Sequence, residues 1–190
     1  MLRVLLIGTV LLLTATLAAC DVFSPRSPED PINEAGTFTQ PDAPDLVIDN
    51  LRAAISEMNT ANYRRSLAED LTFEPTAVAQ ARDPSLWASW SRTEENSYFT
   101  TLAEAARQST GHLLRLEDTA TELGNTRFTL DAAYVLIVRP RRAGVPDTVQ
   151  GRLIWEIEQD TDGLWALRRW TDQELGNSPS WSDLKAEFGK

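Results

Sequence analysis

One cysteine, one histidine and two lysines are all that this chain of 190 residues contains of those three types. The cysteine, Cys20, has no partner for an internal disulfide, so the fold must rest on packing. Together with the histidine, His112, it falls short of the three or four donors that a zinc site needs, and no metal is expected. There is no Gly-rich loop to cradle a phosphate, no Ser–His–Asp pattern and no internal repeat, so no cofactor is implied. Lysine is confined to Lys185 and Lys190, and 28 acidic residues against 18 basic ones give a formal net charge of −10. A surface of that sign repels nucleic acid and anionic headgroups, which argues against both as partners. No apolar run reaches the length of a membrane span.

What is present begins with residues 1–19. They hold one charge, Arg3, an apolar stretch over 4–13, and small residues up to Ala19, the layout of a secretory signal peptide. Leu17-Ala18-Ala19-Cys20 resembles the lipobox of bacterial lipoproteins, in which the signal is cut before the cysteine and the cysteine is acylated. The alternative, a secreted protein with a chance cysteine, leaves an unpaired thiol in an exported chain unexplained. The resemblance implies a membrane anchor at Cys20 and a place in the bacterial cell envelope, on the periplasmic or outer-membrane side. Several acyl chains hold firmly, at about 0.8 kcal/mol per buried methylene. Loss of residues 1–19 removes one basic residue, Arg3, and takes the net charge from −10 to −11.

From Asp21 to Pro44 five prolines fall among Ser, Glu and Asp without apolar periodicity, so residues 20–44 read as a tether, with Phe38 able to dock on the body. The domain is expected over 45–190. Val47, Leu51, Ala54, Ile55 and Met58 share one helical face. Thr60 can cap a second helix carrying Tyr63 and Leu67, and Leu71-Thr72-Phe73-Glu74 is a brief strand ended by Pro75. Asp83-Pro84 starts a short helix, and Ser91-Arg92-Thr93-Glu94 is a capping box opening a helix with Tyr98, Phe99 and Leu102 on one stripe.

After Gly111 the period changes to two. A strand opens at Leu114, Gly124-Asn125 turns the chain, and Phe128, Leu130, Ala132, Tyr134, Leu136 and Val138 share a face. Beyond the loop from Pro140 to Pro146, Val149 to Ile157 and Leu164 to Thr171 form a last hairpin around Asp162-Gly163. A two-residue turn there sets Trp155 opposite Trp170 and Glu156 opposite Arg169, and turns Arg168 onto the apolar face. Ser180 or Ser182 caps a short C-terminal helix with Leu184 and Phe188.

Helices followed by a four-strand meander make an α+β fold. In the order and spacing of Asn62-Tyr63 through Leu67 to Pro75, and of Asp162-Gly163-Leu164-Trp165 through Trp170-Thr171-Asp172, the chain resembles the NTF2-like (SnoaL-like) family over roughly residues 45–173. That resemblance implies a cone, with a strongly curved antiparallel sheet wrapped around three N-terminal helices and a pocket between them. Its members include isomerases, dehydratases and proteins without catalysis, so the fold does not decide activity.

The residues themselves favour no catalysis. His112, the one available imidazole, stands at a strand mouth, where an edge role is the commoner one. Asp131 has the opposite parity to Phe128 and belongs to the outer face. Tyr63, Tyr98, Tyr134, Trp155, Arg168 and Trp170 are the candidate pocket residues, although periodicity explains the aromatic ones equally well as core. The leading expectation is a lipid-anchored, non-catalytic envelope domain binding a small apolar ligand or a protein partner through the cone mouth. The alternatives are an isomerase or dehydratase of the same fold, with a buried His–Asp or Asp–Tyr pair at hydrogen-bonding distance inside the cone as the finding that would overturn the non-catalytic expectation, and a structural subunit forming a homodimer through the sheet's outer face.

Overall fold

The computed structural model describes residues 36–189. The expected signal peptide, the lipobox-like Leu17-Ala18-Ala19, Cys20 and most of the expected tether lie outside the described residues. Among the described residues no helix is long and apolar enough to cross a membrane.

Helices α1 (Pro44–Glu57) and α2 (Thr60–Arg65) lead into β1 (Leu67–Glu74). Two short helices, α3 (Ala77–Arg82) and α4 (Pro84–Trp87), precede α5 (Arg92–Ala106). Strands β2 (Leu113–Leu123), β3 (Arg127–Ile137), β4 (Thr148–Gln159) and β5 (Trp165–Glu174) follow, and α6 (Trp181–Phe188) closes the chain. The curved sheet has the order β1–β5–β4–β3–β2, with β1 parallel to β5 and the other pairs antiparallel. The expected meander is therefore present, and β1 joins it from a distant part of the chain.

Local rules account for most boundaries. Ser91 and Glu94 form a reciprocal capping box at α5, and Asp83 caps α4 through the Leu86 N–H. At α2 the cap is Asn59 rather than Thr60, since its side chain accepts from the Asn62 N–H at 3.0 Å. Leu67, expected on α2, instead opens β1, which is longer than the brief strand over Leu71–Glu74. Along β3 and β4 every second residue is buried, from Phe128 to Leu136 and from Val149 to Ile157. Outside them Arg152 pairs with Asp131 at 2.6 Å, so Asp131 faces outward as its parity requires.

The β4–β5 hairpin holds the expected Trp155–Trp170 and Glu156–Arg169 pairs, by a different route. The turn is a three-residue loop, closed by a bond from the Asp160 N–H to the Leu164 carbonyl, with Gly163 at φ +82°. That loop slips the register by one, and a β-bulge between Leu167 and Arg169 slips it back. Arg168 lies in the bulge. Its side chain is 46% exposed and ion-paired with Asp70 and Glu158, so it leaves the apolar face and is no part of an interior pocket. The two carboxylates hold its guanidinium more firmly protonated than usual, and its hydrogen bond pulls the Glu158 carboxyl down.

Residues 36–43 strap the body. Thr39 exchanges two hydrogen bonds with the Asn50 amide at 2.8 and 2.7 Å, and Pro41 accepts from the Trp165 N–H. The Phe38 ring lies 3.8 Å from the Arg65 guanidinium, so this phenylalanine does dock on the domain.

Candidate functional site

The concave side of the sheet is where a pocket was expected, and α6 occupies it. Trp181, Leu184, Lys185 and Phe188 recur at helical spacing on one face, and all four are buried. Ser180 and Asp183 cap the helix reciprocally, which fixes its entry into the interior.

Two buried polar clusters receive it. In the first, Asp172 follows Trp170 on the inner face of β5. Its Oδ1 accepts from the Tyr134 hydroxyl at 2.8 Å, and its Oδ2 accepts from the Ser182 N–H at 2.7 Å and hydroxyl at 2.6 Å. The Tyr134 oxygen in turn accepts from the Trp181 N–H at 2.7 Å. Tyr134 faces Gly151 across the β3–β4 ladder, and a Cβ there would stand 2.7 Å from its hydroxyl, so only glycine admits this ring.

In the second cluster, Glu95 lies on the stripe of α5 that also carries Tyr98, Phe99 and Leu102. Its Oε1 accepts from the Tyr63 hydroxyl at 2.7 Å, and its Oε2 accepts from the Trp90 indole at 2.8 Å and the Lys185 ammonium at 2.6 Å. Lys185 is 0% exposed. Its Nζ stands 3.5 Å from the ring centroids of both Phe73 and Trp170. The Trp181 indole donates to the Tyr98 hydroxyl at 2.9 Å and joins the clusters.

Burial governs the acid–base behaviour of this interior. It pushes the Asp172 carboxyl up against the opposing hydrogen bonds from Ser182 and Tyr134. It raises Tyr134, aided by the Asp172 charge, and takes Tyr63 and Tyr98 well above the usual phenol range, aided by Glu95. It lowers Lys185 to about 8, with Glu95 opposing.

The Tyr134–Asp172 and Tyr63–Glu95 pairs are the kind of carboxylate–phenol arrangement that proton transfer next to a carbonyl employs. Here every carboxylate oxygen already accepts a hydrogen bond from the chain itself, and α6 supplies a donor to each pair. The indole N–H groups of Trp155 and Trp170 have no acceptor among the described residues, although both rings are fully buried.

Of the expected pocket residues, Tyr63, Tyr98, Tyr134, Trp155 and Trp170 do converge, around α6 instead of around a cavity. Arg168 does not join them. His112 is 7% exposed and so is not at the surface, and its Nε2 lies 3.2 Å from the Ser109 carbonyl. No group of three metal-ligating side chains occurs among the described residues. On the outside, a groove of about 880 Å³ runs beside the strap, lined by Phe38, Arg65, Ala68, Arg92, Trp165 and Arg168 among others.

No family model matches the chain, and no curated protein matches its sequence. Solved structures do match. A candidate scytalone dehydratase from Novosphingobium aromaticivorans superposes with a TM-score of 0.54 at 10% identity, over 72% of this chain and 89% of that one. A candidate calcium/calmodulin-dependent protein kinase II association domain from Xanthomonas campestris gives 0.53 at 17% identity, over 70% and 86%. An NTF2-like superfamily protein from Salmonella enterica gives 0.51 at 10% identity, over 70% and 87%. The domain is NTF2-like in fold. At these identities the likeness is one of architecture, and the chemistry must be argued from the side chains.

Glu95, Asp172, Lys185, Trp90, Trp181 and Ser182 were not among the site residues expected from the sequence, although Asp172 stood in the family-like motif and Ser182 as a possible cap. The signal was there for three of them. Glu95 and Lys185 are charges on otherwise apolar helical stripes, and Asp172 shares strand parity with Trp170.

Proposed function

We propose that the chain is a lipid-anchored, non-catalytic NTF2-like domain of the bacterial cell envelope that binds a protein partner. The observation that carries the non-catalytic part is the filled interior: α6 packs where a substrate would lie and satisfies both carboxylates. A small apolar ligand in the cone loses its support for the same reason. The exterior groove is the better candidate contact, because half-buried Phe38 and Leu164 offer apolar area there beside a rim of ion pairs, Arg92 with Glu69 and Arg168 with Asp70 and Glu158. The anchor rests on the lipobox resemblance at Cys20.

A photo-crosslinking residue at Ala68, in the groove, is expected to trap one envelope protein, whereas the same residue at Thr121, on β2 at the far edge of the sheet, traps none. Equal crosslinking from both positions, or none from either, would refute the groove. Cys20→Ser is expected to move the protein from the membrane to the soluble fraction, and a variant that stays with the membrane would remove the anchor.

The buried Tyr134–Asp172 pair, at 2.8 Å, is the arrangement expected to overturn a non-catalytic reading, and it favours one second reading, an isomerase or dehydratase in which α6 withdraws to admit substrate; that reading stands second because Ser182 already holds the other oxygen of Asp172. Asp131 has no part in it, since it faces outward. Turnover of a cyclic ketone or hydroxy-ketone by the wild type that vanishes in Asp172→Asn would establish that reading.

A further inference from the structure

We infer that the cone interior is a binding site for a primary ammonium group on an unbranched apolar stem, occupied by the chain's own Lys185, so that α6 is a tethered ligand. This does not depend on the partner-binding reading.

The surroundings of the Lys185 nitrogen are those of an ammonium receptor. Phe73 and Trp170 present their faces at 3.5 Å, and Tyr98 and Trp90 complete the ring at 5.8 and 5.9 Å. A ring face carries the negative end of the aromatic quadrupole, and several faces around one dry site attract a cation strongly. Glu95 supplies the one anionic contact, at 2.6 Å, and is itself oriented by Tyr63 and Trp90. An ammonium has three protons, and one goes to Glu95 while the others meet ring faces. The 3.5 Å spacing leaves no room for methyl groups on nitrogen, which sets the class as primary rather than quaternary.

The holder and the held come from different parts of the fold. Phe73 is on β1, Glu95 and Tyr98 on α5, and Trp170 on β5, whereas Lys185 arrives on the last helix. The groups around the nitrogen are thus supplied by elements other than the one that carries it.

The test uses the full chain carrying Lys185→Ala, which removes three methylenes and the ammonium. Thermal unfolding is followed with n-propylammonium chloride, with n-propanol and with propyltrimethylammonium chloride at matched ionic strength. The variant is expected to melt below the wild type and to recover by about 3 °C or more with propylammonium alone, in a saturable manner. The wild type and a Glu95→Gln/Lys185→Ala variant should not respond. Equal recovery with propanol or with the quaternary ion, an equal rise in the wild type, or no recovery at all would overturn the inference. Should Lys185→Ala fail to fold alone, folding driven by propylammonium and not by propanol supports the site, and failure with both refutes it.

Discussion

Replacing Lys185 by methionine tests how the interior is held. Methionine nearly keeps the volume and the apolar stem, so the loss is mainly electrostatic. It leaves the Glu95 carboxylate buried with two neutral donors, Tyr63 and Trp90, and no countercharge. Removing one member of a buried ion pair costs about 3–5 kcal/mol, because the partner's charge stays out of water without compensation. Against a total of about 5–15 kcal/mol for an ordinary domain, that is a large share. With a urea slope of about 2 kcal/mol per M, the midpoint should fall by roughly 2 M.

The companion double variant Glu95→Gln/Lys185→Met makes the prediction specific. A glutamine carbonyl can still accept from the Trp90 indole and its amide N–H can meet the Tyr63 oxygen, so no unpaired charge is left in the interior. The double variant is therefore expected to be more stable than either single one, by urea unfolding read through tryptophan fluorescence. Three of the six tryptophans, Trp90, Trp170 and Trp181, lie in or beside the clusters that change. If the two single losses simply add in the double variant, the pair is not coupled and the reasoning fails.

Three further expectations follow from the same geometry. With only two lysines in the chain, their Cε resonances can be followed individually, and Lys185 should titrate near 8; a Lys185 resonance that titrates at the usual lysine value would refute the dry cage. The sign for stability follows: a lysine depressed in the fold penalises it below about 8, and that penalty lifts as pH rises toward the unfolded lysine value near 10.4, while Tyr63, Tyr98 and Tyr134, raised in the fold, cost stability only above about 10. Wild type minus Lys185→Met stability should accordingly increase between pH 8 and 10 in chemical denaturation, and a decrease would contradict the assignment. Gly151→Ala should cost about 2 kcal/mol or more, since its Cβ would meet the Gln173 carbonyl at 2.6 Å and the Tyr134 ring at 2.9 Å; a neutral result in urea would show that Tyr134 is free to move. Arg168→Ala should leave the urea midpoint unchanged within error, because the guanidinium and its Asp70 partner are solvated and Glu158 keeps its pairing with Arg127, and a clear loss would restore it to the core.

The parts of the fold that local chemistry specifies were legible in the sequence. The α5 capping box, the cap at Ser180 and the alternation along β3 and β4 each depend on neighbours within a few residues. The Trp155–Trp170 pairing was legible too, although two register offsets, at Gly163 and at Arg168, cancel to produce it. Arg168 itself was misplaced because a bulge leaves no signature in a period-two pattern. The union of β1 with β5 was not legible, since parallel pairing across about a hundred residues depends on which edge the helices leave open. Nor was the destination of α6. Its stripe of Trp181, Leu184, Lys185 and Phe188 reads as amphipathic, but a lysine among apolar positions looks like a boundary until Glu95 is seen opposite it. Burial of that charge is legible only in pairs of residues, here ninety positions apart.

Hydrogen exchange at the backbone amides of Trp181 and Ser182 tests most directly whether the last helix fills the cone. Both N–H groups are buried and donate inward, to the Tyr134 oxygen and to Asp172. They should exchange as slowly as the amides of β3 and β4, through global unfolding. Exchange at the rate of an open loop, with β3 and β4 still protected, would mean that the helix stands outside and the interior is open.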